Sequence, residues 1–284
     1  MKKISIVIGT YNRLSFLKLT LKTLRDELLQ IDSSEIIIVD GGSTDGTIEW
    51  LTQQKDVVVI IQHNRGTWLG RTLPRRSWGY FMNLAFKAAQ GKYILMISDD
   101  CLLVPGAIIS GINTFEQSSK KGQKVGAVAF YWRNWPEDEK YFVGLTVGRK
   151  MFVNHGLYLT SALREINYVD EDAFSFYHAD GDLCLRLWEV GYEVIDSKTS
   201  FVEHYSDANT EVRLSNLENQ RKDWSTYLKR WGSLLAGSNG FEGGWEYLEH
   251  KDQTETAKLF RKMFLKDNVR KKIKRLKSRL GIGI

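Results

Sequence analysis

The first hundred residues alternate short apolar runs with segments of helical periodicity. Runs rich in isoleucine and valine at 4–8, 36–39 and 57–61, the first containing Ser5, have the length and composition of buried strands. Leucines recur between the first two runs at steps of three or four residues, at positions 14, 17, 21, 24 and 28, which predicts a helix with one buried face. A second helix is predicted over about 78–89, ending before Gly91. Strands buried on both faces and separated by helices predict a parallel α/β sheet.

Later segments continue the alternation less regularly. Strands are expected over 93–97, 125–132 and 142–147, together with a strand that contains Val194 and Ile195. A helix over 183–190 is expected to stop at Gly191, and residues 210–232 have a helical pattern. A short helix through Leu51 is expected to be capped by Ser43 or Thr44.

Composition narrows the class of protein. The 284 residues are 43% hydrophobic and 26% charged, which excludes a disordered chain. The two cysteines, Cys101 and Cys184, exclude a disulfide framework, and the lack of a CxxC pattern excludes a structural zinc site. The first apolar run stops at Gly9, so the start is interpreted as a strand and not as a signal peptide, and no run reaches the length of a membrane span. A cytoplasmic protein is expected.

The charge is concentrated at one end. The net charge is +6, but residues 251–284 carry 12 Lys and Arg against 3 Asp and Glu, a net of +9, so the remainder carries −3. Residues 270–279 contain seven basic residues and no acid, with an apolar residue every three or four positions from Val269 to Leu280. This pattern is typical of a helix that lies on an anionic membrane surface. Packing on the protein body is an alternative, and no nucleic acid partner is expected because no aromatic residues interleave these charges.

Polar residues follow three of the predicted strands, where ligands of parallel sheets bind. The segments are Gly-Thr-Tyr-Asn-Arg from Gly9, Asp-Gly-Gly-Ser-Thr-Asp-Gly-Thr from Asp40, and Ser-Asp-Asp from Ser98. There is no GxGxxG after the first strand and no GxxxxGK[ST], which disfavours a dehydrogenase and a P-loop kinase. Acidic groups at two strand ends favour a nucleotide held by its base and ribose, with a divalent cation on its phosphates.

These segments belong to an ordered series of motifs. The series continues with Asn-Arg-Gly from Asn64, Pro-Gly-Ala from Pro105, Asp-Gly-Asp-Leu-Cys-Leu-Arg from Asp180, His204, and Lys-Arg-Trp-Gly from Lys229. In order and spacing the chain, from residue 4 to about 232, resembles the family 2 glycosyltransferases of the GT-A fold. The resemblance implies a Rossmann-like mixed, mostly parallel central sheet flanked by helices, with a C-terminal helical extension. It implies a nucleotide-sugar-binding half at 1–100, an acceptor-binding half at 101–209, and a helical region with the basic tail at 210–284.

The resemblance also implies a reaction, which is metal-dependent, inverting and non-processive transfer from a UDP, GDP or dTDP sugar to a saccharide or lipid-linked acceptor. Asp180 would be the general base, although Ala179 stands where the family usually has an acid, which leaves Asp182 as a possible substitute and helix capping as the alternative role. Asp100 and His204 would hold Mg²⁺ or Mn²⁺. Residues that would contact the donor are Thr10, Tyr11, Arg13, Asp40, Arg75, Ser98 and Asp99.

Other interpretations of these residues stay open. Asp40 has the alternative role of a turn residue, the Asp pair that of a solvated turn, and Arg75 that of an exposed charge. Ser98 replaces the acid that is commoner at this place in the family, which allows a non-catalytic carbohydrate-binding protein. A sugar-phosphate nucleotidyltransferase is a further alternative, disfavoured because the first strand is not followed by a Gly-rich phosphate loop.

One helical motif departs from its family pattern. Gln-Arg-Lys-Asp-Trp from Gln220 resembles the QxxRW motif of processive polysaccharide synthases, but Asp223 replaces the arginine. The sequence also contains no membrane spans for export, so a non-processive enzyme is the better interpretation. We expect peripheral attachment of residues 258–284 to the cytosolic face of the membrane, where lipid-linked acceptors reside.

Overall fold

The computed structural model describes residues 2–64, 66–205, 210–237, 244–249, 256 and 258–265. The strands are β1 (Lys2–Thr10), β2 (Ser34–Asp40), β3 (Val57–Ile61), β4 (Thr67–Trp68), β5 (Arg71–Thr72), β6 (Gly91–Met96), β7 (Cys101–Leu103), β8 (Val125–Trp135), β9 (Tyr141–Leu145), β10 (Gly156–Leu159), β11 (Glu193–Tyr205) and β12 (Gly244–Leu248). The helices are α1 (Leu14–Leu28), α2 (Thr47–Leu51), α3 (Trp78–Ala88), α4 (Ala107–Lys120), α5 (Thr160–Glu165), α6 (Ala179–Glu189) and α7 (Thr210–Trp231).

The central sheet has the order β12-β9-β8-β10-β6-β1-β2-β3. Strands β6, β1, β2 and β3 are mutually parallel. Strand β10 joins them to β8 through antiparallel pairs, and β11 runs parallel to β8 while pairing antiparallel with β7. The expected mixed α/β sheet flanked by helices is therefore confirmed.

Strand β1 shows why this sheet is buried on both faces. Side chains alternate across a strand, and Ile4, Ile6 and Ile8 pack on one face against the leucines of α1. Val7 faces the other way and belongs to the same cluster as Met82 of α3. A nearly continuous apolar run is what a strand with helices on both faces requires.

Three local expectations differ from the structure. Strand β3 ends the sheet, so Val58 is 50% exposed and the strand is only half covered. Helix α2 begins at Thr47, with the Asp45 carboxylate accepting the Thr47 amide hydrogen, whereas Ser43 accepts from the amide of Asn12. Helix α6 begins earlier than predicted, at Ala179, so that Asp180 lies in its first turn.

The chain divides into two compact units, residues 1–249 and 250–284. The second unit is described only at 256 and 258–265, which are helical, and the predicted basic segment 270–279 lies outside the described residues. Among the described helices none combines the length and the apolar character that crossing a bilayer requires. The predicted boundaries at residues 100 and 209 both lie within the first unit and stay predictions.

Candidate functional site

The carboxyl ends of the parallel strands form one edge of the sheet, and the predicted residues gather there. Thr10 at the end of β1 is in register with Asp40 at the end of β2, and β6 leads directly into the segment from Ser98. A cleft of ≈ 750 Å³ opens at this edge. Nine of the ten predicted site residues line it: Thr10, Tyr11, Arg13, Arg75, Ser98, Asp99, Asp100, Asp180 and His204. The tenth, Asp40, is buried next to Gly41, which lines the cleft.

Arg13 joins the two adjacent carboxylates. Its Nη1 atom lies 2.8 Å from Oδ1 of Asp99 and 2.8 Å from Oδ2 of Asp100. Thr10 Oγ1 donates a further hydrogen bond of 2.7 Å to Asp99 Oδ2. Burial raises the pKa of Asp99, an effect that the Arg13 charge opposes. Burial by itself lowers the pKa of Arg13, but the two carboxylates raise it overall, so this cation compensates the buried acids.

His204 lies beside Asp100 because of strand pairing. In the antiparallel pair of β11 with β7, His204 is opposite Cys101, and the amide of Tyr205 donates to the carbonyl of Asp100. His204 Nε2 is consequently 3.6 Å from Asp100 Oδ1. Two residues that are 104 positions apart in the sequence thus direct an imidazole nitrogen and a carboxylate oxygen at the same point of the cleft.

Asn134 fixes the orientation of His204. The Asn134 side chain donates from Nδ2 to Asp138 Oδ2 at 2.8 Å, so its Oδ1 faces His204 Nδ1 at 2.9 Å. An amide oxygen only accepts, so Nδ1 carries a proton, and Nε2 is the nitrogen that faces Asp100. Such a partner on the remote nitrogen is what metal-binding histidines commonly have. No local motif in the sequence marks Asn134, so it is absent from the predicted site residues.

The donor set at this point fits a divalent cation. A carboxylate oxygen and an imidazole nitrogen at this separation are suitable ligands for Mg²⁺ or Mn²⁺. Cys101 Sγ lies within 4.8 Å of the same two ligand atoms, but burial raises the pKa of its thiol well above the usual value. His155 lies beneath, with its Nε2 3.6 Å from Cys101 Sγ, and burial followed by the His204 charge lowers its pKa to about 3. Asp100 and His204 are therefore the residues that would hold the ion.

Asp40 combines a turn role with an unused acceptor. Its Oδ1 accepts hydrogen bonds from the amides of Gly42 at 2.8 Å and Ser43 at 2.7 Å. Its Oδ2 has no hydrogen-bond partner among the described residues, although the residue is 0% exposed. A buried carboxylate oxygen without a donor is costly, which makes Asp40 a candidate for contact with a ligand. The two alternative roles of Asp40 are thus compatible.

Asp180 and Asp182 have different surroundings. Asp180 lines the cleft with a partly exposed side chain, whose Oδ2 lies 3.4 Å from Asn154 Nδ2. Burial on its other sides raises the pKa of Asp180. Asp182 is 0% exposed and accepts hydrogen bonds from Arg186, Arg230 and Trp231 at 2.8 to 2.9 Å. Because these partners occupy Asp182, the structure favours Asp180 as the group that meets a substrate.

Arg75 lies in a loop that lines the cleft. Asn64 secures this loop, since its Oδ1 accepts the amide hydrogen of Arg76 at 2.6 Å and its Nδ2 donates to the carbonyl of Arg76. Both arginines line the cleft. Two guanidinium groups on one wall suit an anionic ligand such as a diphosphate.

The amino-acid sequence matches the model of a known protein family. The sequence model described as Glycosyl transferase family 2 matches residues 5–168, more than half of the chain. The chain belongs to glycosyl transferase family 2. Family membership favours glycosyl transfer over nucleotidyl transfer as the chemistry of this cleft. The match ends before Asp180 and His204, so the roles of these two residues rest on their positions in the cleft.

Individual relatives of this transferase are distant. A poly(ribitol-phosphate) beta-glucosyltransferase of Bacillus spizizenii is 33% identical over 114 residues, which are 39% of this chain and 17% of that protein. The chain therefore matches less than a fifth of the length of that relative.

Solved structures resemble the transferase in fold. The mannosyltransferase PcManGT from Pyrobaculum calidifontis, in complex with GDP-Man and Mn²⁺, has a TM-score of 0.58 at 15% identity, covering 83% of this chain and 68% of that one. S. aureus TarS 1-349 in complex with UDP has a TM-score of 0.52 at 17% identity, covering 84% and 74%. At these identities the likeness supports the GT-A fold.

Proposed function

We propose that this transferase uses a divalent cation to move a sugar, with inversion at its anomeric carbon, from a nucleotide-diphosphate sugar to a saccharide or lipid-linked acceptor in surface glycan synthesis. The observation that carries the proposal is the convergence of Asp100 Oδ1 and His204 Nε2 at 3.6 Å in the cleft that also contains Asp180. Glycosyl transfer requires residues that bind the nucleotide, positive charge that compensates the leaving diphosphate, and a base that deprotonates the acceptor hydroxyl. The cleft offers residues for each.

The nucleotide is assigned to the side of the cleft formed by β1 and β2. Oδ2 of Asp40 would accept a hydrogen bond from the nucleobase, and uracil, thymine and guanine all carry a ring N–H donor. Tyr11 packs against Gly41, where a β-carbon would lie 3.2 Å from the tyrosine ring. This side of the cleft therefore leaves little room for a side chain at position 41. Thr10, Arg13, Ser98 and Asp99 form the adjoining floor for the ribose and the first phosphate. A UDP, GDP or dTDP sugar fits these groups.

The diphosphate is assigned to the space between the acidic pair and the arginine loop. Asp100 and His204 would hold the ion there, and Asp99 would contact the ribose or a water bound to the ion. A bound Mg²⁺ or Mn²⁺ supplies positive charge against the charge that builds on the leaving diphosphate. Arg75 donates to phosphate oxygens from its loop.

Asp180 is assigned the proton transfer. The acceptor hydroxyl oxygen forms a bond to the anomeric carbon, the bond from that carbon to the diphosphate oxygen breaks, and the hydroxyl proton passes to Asp180. The raised pKa of Asp180 makes it a stronger base than an exposed aspartate. Asn154 orients the carboxylate by donating to its Oδ2.

The acceptor is assigned to the side of the cleft next to α7. Beyond His178 and Leu217, a second pocket of ≈ 610 Å³ is lined by Gln220, Arg221 and Trp224. An indole face suits a sugar ring or polyol chain, and a guanidinium suits a phosphate. A relative named for a poly(ribitol-phosphate) acceptor makes an anionic surface polymer a reasonable acceptor class. We infer non-processive transfer to it.

Membrane attachment is assigned to the basic segment within 258–284. A helix with seven basic residues over 270–279 would be attracted to anionic lipids of the cytosolic leaflet, at on the order of 1 kcal/mol per residue near the surface. Sedimentation with vesicles containing phosphatidylserine tests this. Substitution of Lys271, Lys272 and Lys274 by glutamine is expected to weaken binding, and equal binding by this variant contradicts the assignment.

A donor screen tests the function as a whole. The protein is incubated with UDP, GDP and dTDP sugars, saccharide or polyol-phosphate acceptors and Mn²⁺, and nucleoside diphosphate release is followed with and without EDTA. We expect one donor class to be consumed, EDTA to stop the reaction, and NMR of the product to show the opposite anomer from the donor. Release of pyrophosphate from a nucleoside triphosphate and a sugar phosphate, or nucleotide binding without turnover of any donor, contradicts the proposal.

A further inference from the structure

Helix α7 holds the loop before the proposed base through a single carboxylate. Asp223 is 0% exposed. Its Oδ1 accepts the amide hydrogen of Ser175 at 2.9 Å, and its Oδ2 accepts those of Phe176 at 2.8 Å and Tyr177 at 2.9 Å. Three consecutive backbone amides therefore point at one side chain that is 46 to 48 residues away in the sequence.

Three successive amides directed at one point form a concave site for an anion. Asp223 supplies that anion from within the protein, and the three charge-assisted hydrogen bonds compensate its removal from water. The QxxRW motif that this part of α7 resembles has an arginine at the same place, and a guanidinium has no atom that accepts a hydrogen bond. The departure from the motif thus has a structural consequence in this chain.

The loop is part of the cleft wall. Ser175, Phe176, Tyr177 and His178 all line it, and Asp180 follows two residues after His178. His178 has a left-handed backbone with φ of 64°, a conformation that a non-glycine residue adopts only when its surroundings hold it there.

Three further contacts hold the same loop. The carbonyl of Ser175 accepts from the amide of Trp78, at the start of α3. The His178 ring lies 5.0 Å from the Trp224 ring and 5.2 Å from the Tyr227 ring of α7. Because Trp224 also lines the adjoining pocket, displacement of the loop would alter the acceptor side of the cleft, whereas the nucleotide is assigned to residues at the ends of β1 and β2.

We propose that Asp223 is a positioning residue for sugar transfer, which fixes the 175–178 loop and thereby the acceptor side of the cleft next to Asp180. This inference rests on the proposed function for its kinetic part. Its structural part, that the Asp223 carboxylate holds these three amides, can be measured without any substrate.

The kinetic test compares Asp223→Asn with Lys222→Gln. Lys222 is the preceding residue of the same helix; its side chain is exposed, and an ammonium group has no atom that could accept from the loop amides. In Asp223→Asn, asparagine keeps one acceptor oxygen but turns an NH₂ group toward amide donors.

A displacement of a substrate-positioning group by about 1 Å costs on the order of 100-fold in rate, so we expect kcat to fall about 10- to 100-fold in Asp223→Asn. The acceptor KM should rise, whereas the Kd for the nucleoside diphosphate and the kinetics of Lys222→Gln should stay at wild-type values.

The substrate-free test is amide hydrogen exchange. Exchange at 175–177 should be faster in Asp223→Asn, whereas exchange in the central sheet should match the wild type and show that the variant is folded. Asp223→Glu retains the negative charge and should restore protection and part of kcat; it decides the question if Asp223→Asn does not fold. Unchanged exchange at 175–177, wild-type kcat and acceptor KM, or a loss of nucleotide affinity parallel to kcat would each overturn the proposal. Faster exchange in a protein that transfers no sugar from any donor would instead remove only the proposed function.

Discussion

His204 and Asn134 form a hydrogen bond of 2.9 Å between the imidazole Nδ1 and the amide Oδ1, on neighbouring parallel strands. The bond places the imidazole proton on Nδ1 and leaves Nε2 to face Asp100. Asp138 in turn fixes the Asn134 amide through its nitrogen. The orientation of the proposed ligand is therefore set by a residue that does not itself reach the ion.

Replacing Asn134 by alanine tests this relationship. The imidazole would lose the partner that sets its tautomer and ring angle, and loss of such an outer partner typically weakens metal affinity by about 10- to 100-fold. Titration calorimetry with Mn²⁺ in the presence of UDP or GDP measures the change. Asn154→Ala is the matched control, since Asn154 contacts Asp180 and not His204, and it should keep the wild-type Mn²⁺ affinity. Unchanged affinity in Asn134→Ala contradicts the role.

Replacing Arg13 by glutamine tests the compensation of the acidic pair. Asp99 and Asp100 would be left buried side by side without their shared cation, and breaking a buried ion pair costs about 3 to 5 kcal/mol. Urea unfolding at pH 7 measures the loss. Mn²⁺ should restore more stability to this variant than it adds to the wild type, because it supplies the missing charge.

The control for that experiment is an exposed ion pair. Arg25 contacts Asp56 at 2.7 Å, but the two side chains are 37% and 51% exposed. Arg25→Gln should therefore cost about 1 kcal/mol or less, with the same response to Mn²⁺ as the wild type. Equal losses in the two variants would show that Arg13 and the acidic pair do not form a special site.

Replacing Asp40 by asparagine tests the unused acceptor. Asparagine keeps an oxygen for the amides of Gly42 and Ser43 and presents an NH₂ group where Oδ2 now lies. A nucleobase N–H would meet a donor in place of a charged acceptor, so nucleoside diphosphate affinity should fall about 10-fold or more. The free energy of unfolding should not decrease, because an incompletely paired buried carboxylate is removed.

Asp45→Asn provides the comparison in the same loop. Asp45 accepts from the amides of Leu14 and Thr47, so its replacement should lower stability slightly without changing nucleotide affinity. If Asp40→Asn binds nucleotide as well as this control does, the assignment of Asp40 to the base is wrong.

The regular part of the fold could be predicted because its signal is local. The apolar runs of β1, β2 and β3 and the leucine spacing of α1 each determine their own element, and the mostly parallel arrangement follows from strands that alternate with helices. The position of β3 at the sheet edge could not be predicted, because edge and centre strands of this length have similar composition. The cap of helix α2 could not be located from the sequence, because Ser43, Thr44 and Asp45 are all good capping residues. In the structure the Ser43 hydroxyl accepts from the amide of Asn12, and Asp45 accepts the amide hydrogen of Thr47.

The site could be predicted only where residues follow strand ends in a familiar order. Asp99, Asp100 and Asp40 lie there, and the resemblance added His204. Asn134 and Asp223 could not be predicted, since each acts through a contact with a residue 46 to 70 positions away, and such contacts leave no mark in the local sequence.

Asp180 and Asp182 show the same limit. Both are acids at the start of a helix, so the sequence left either of them as the base. The contacts of Asp182 with Arg186, Arg230 and Trp231 separate the two.

The raised pKa of Asp180 favours catalysis by a base but lowers the stability of the folded protein at neutral pH. Its pKa in the folded protein lies above the ordinary value of 3.8 because burial disfavours the charged form. The protonated carboxyl is thus stabilised by folding below the unfolded pKa, and this contribution is lost as the pH rises through the folded pKa. At pH 7, well above the ordinary pKa of an aspartate, Asp180 destabilises the fold, so Asp180→Asn should raise Tm, and this gain should shrink as the pH falls below the folded pKa. Transfer should fall by about 10²- to 10⁴-fold with nucleotide affinity retained, and the acid limb of kcat/KM in the wild type should lie above pH 3.8.

Asp182→Asn is the matched control and should lower Tm, because it weakens the contacts of a fully buried carboxylate with Arg230 and Trp231. Wild-type turnover in Asp180→Asn would exclude Asp180 as the base. A lower Tm for this variant at pH 7 would contradict the raised pKa of a partly buried Asp180.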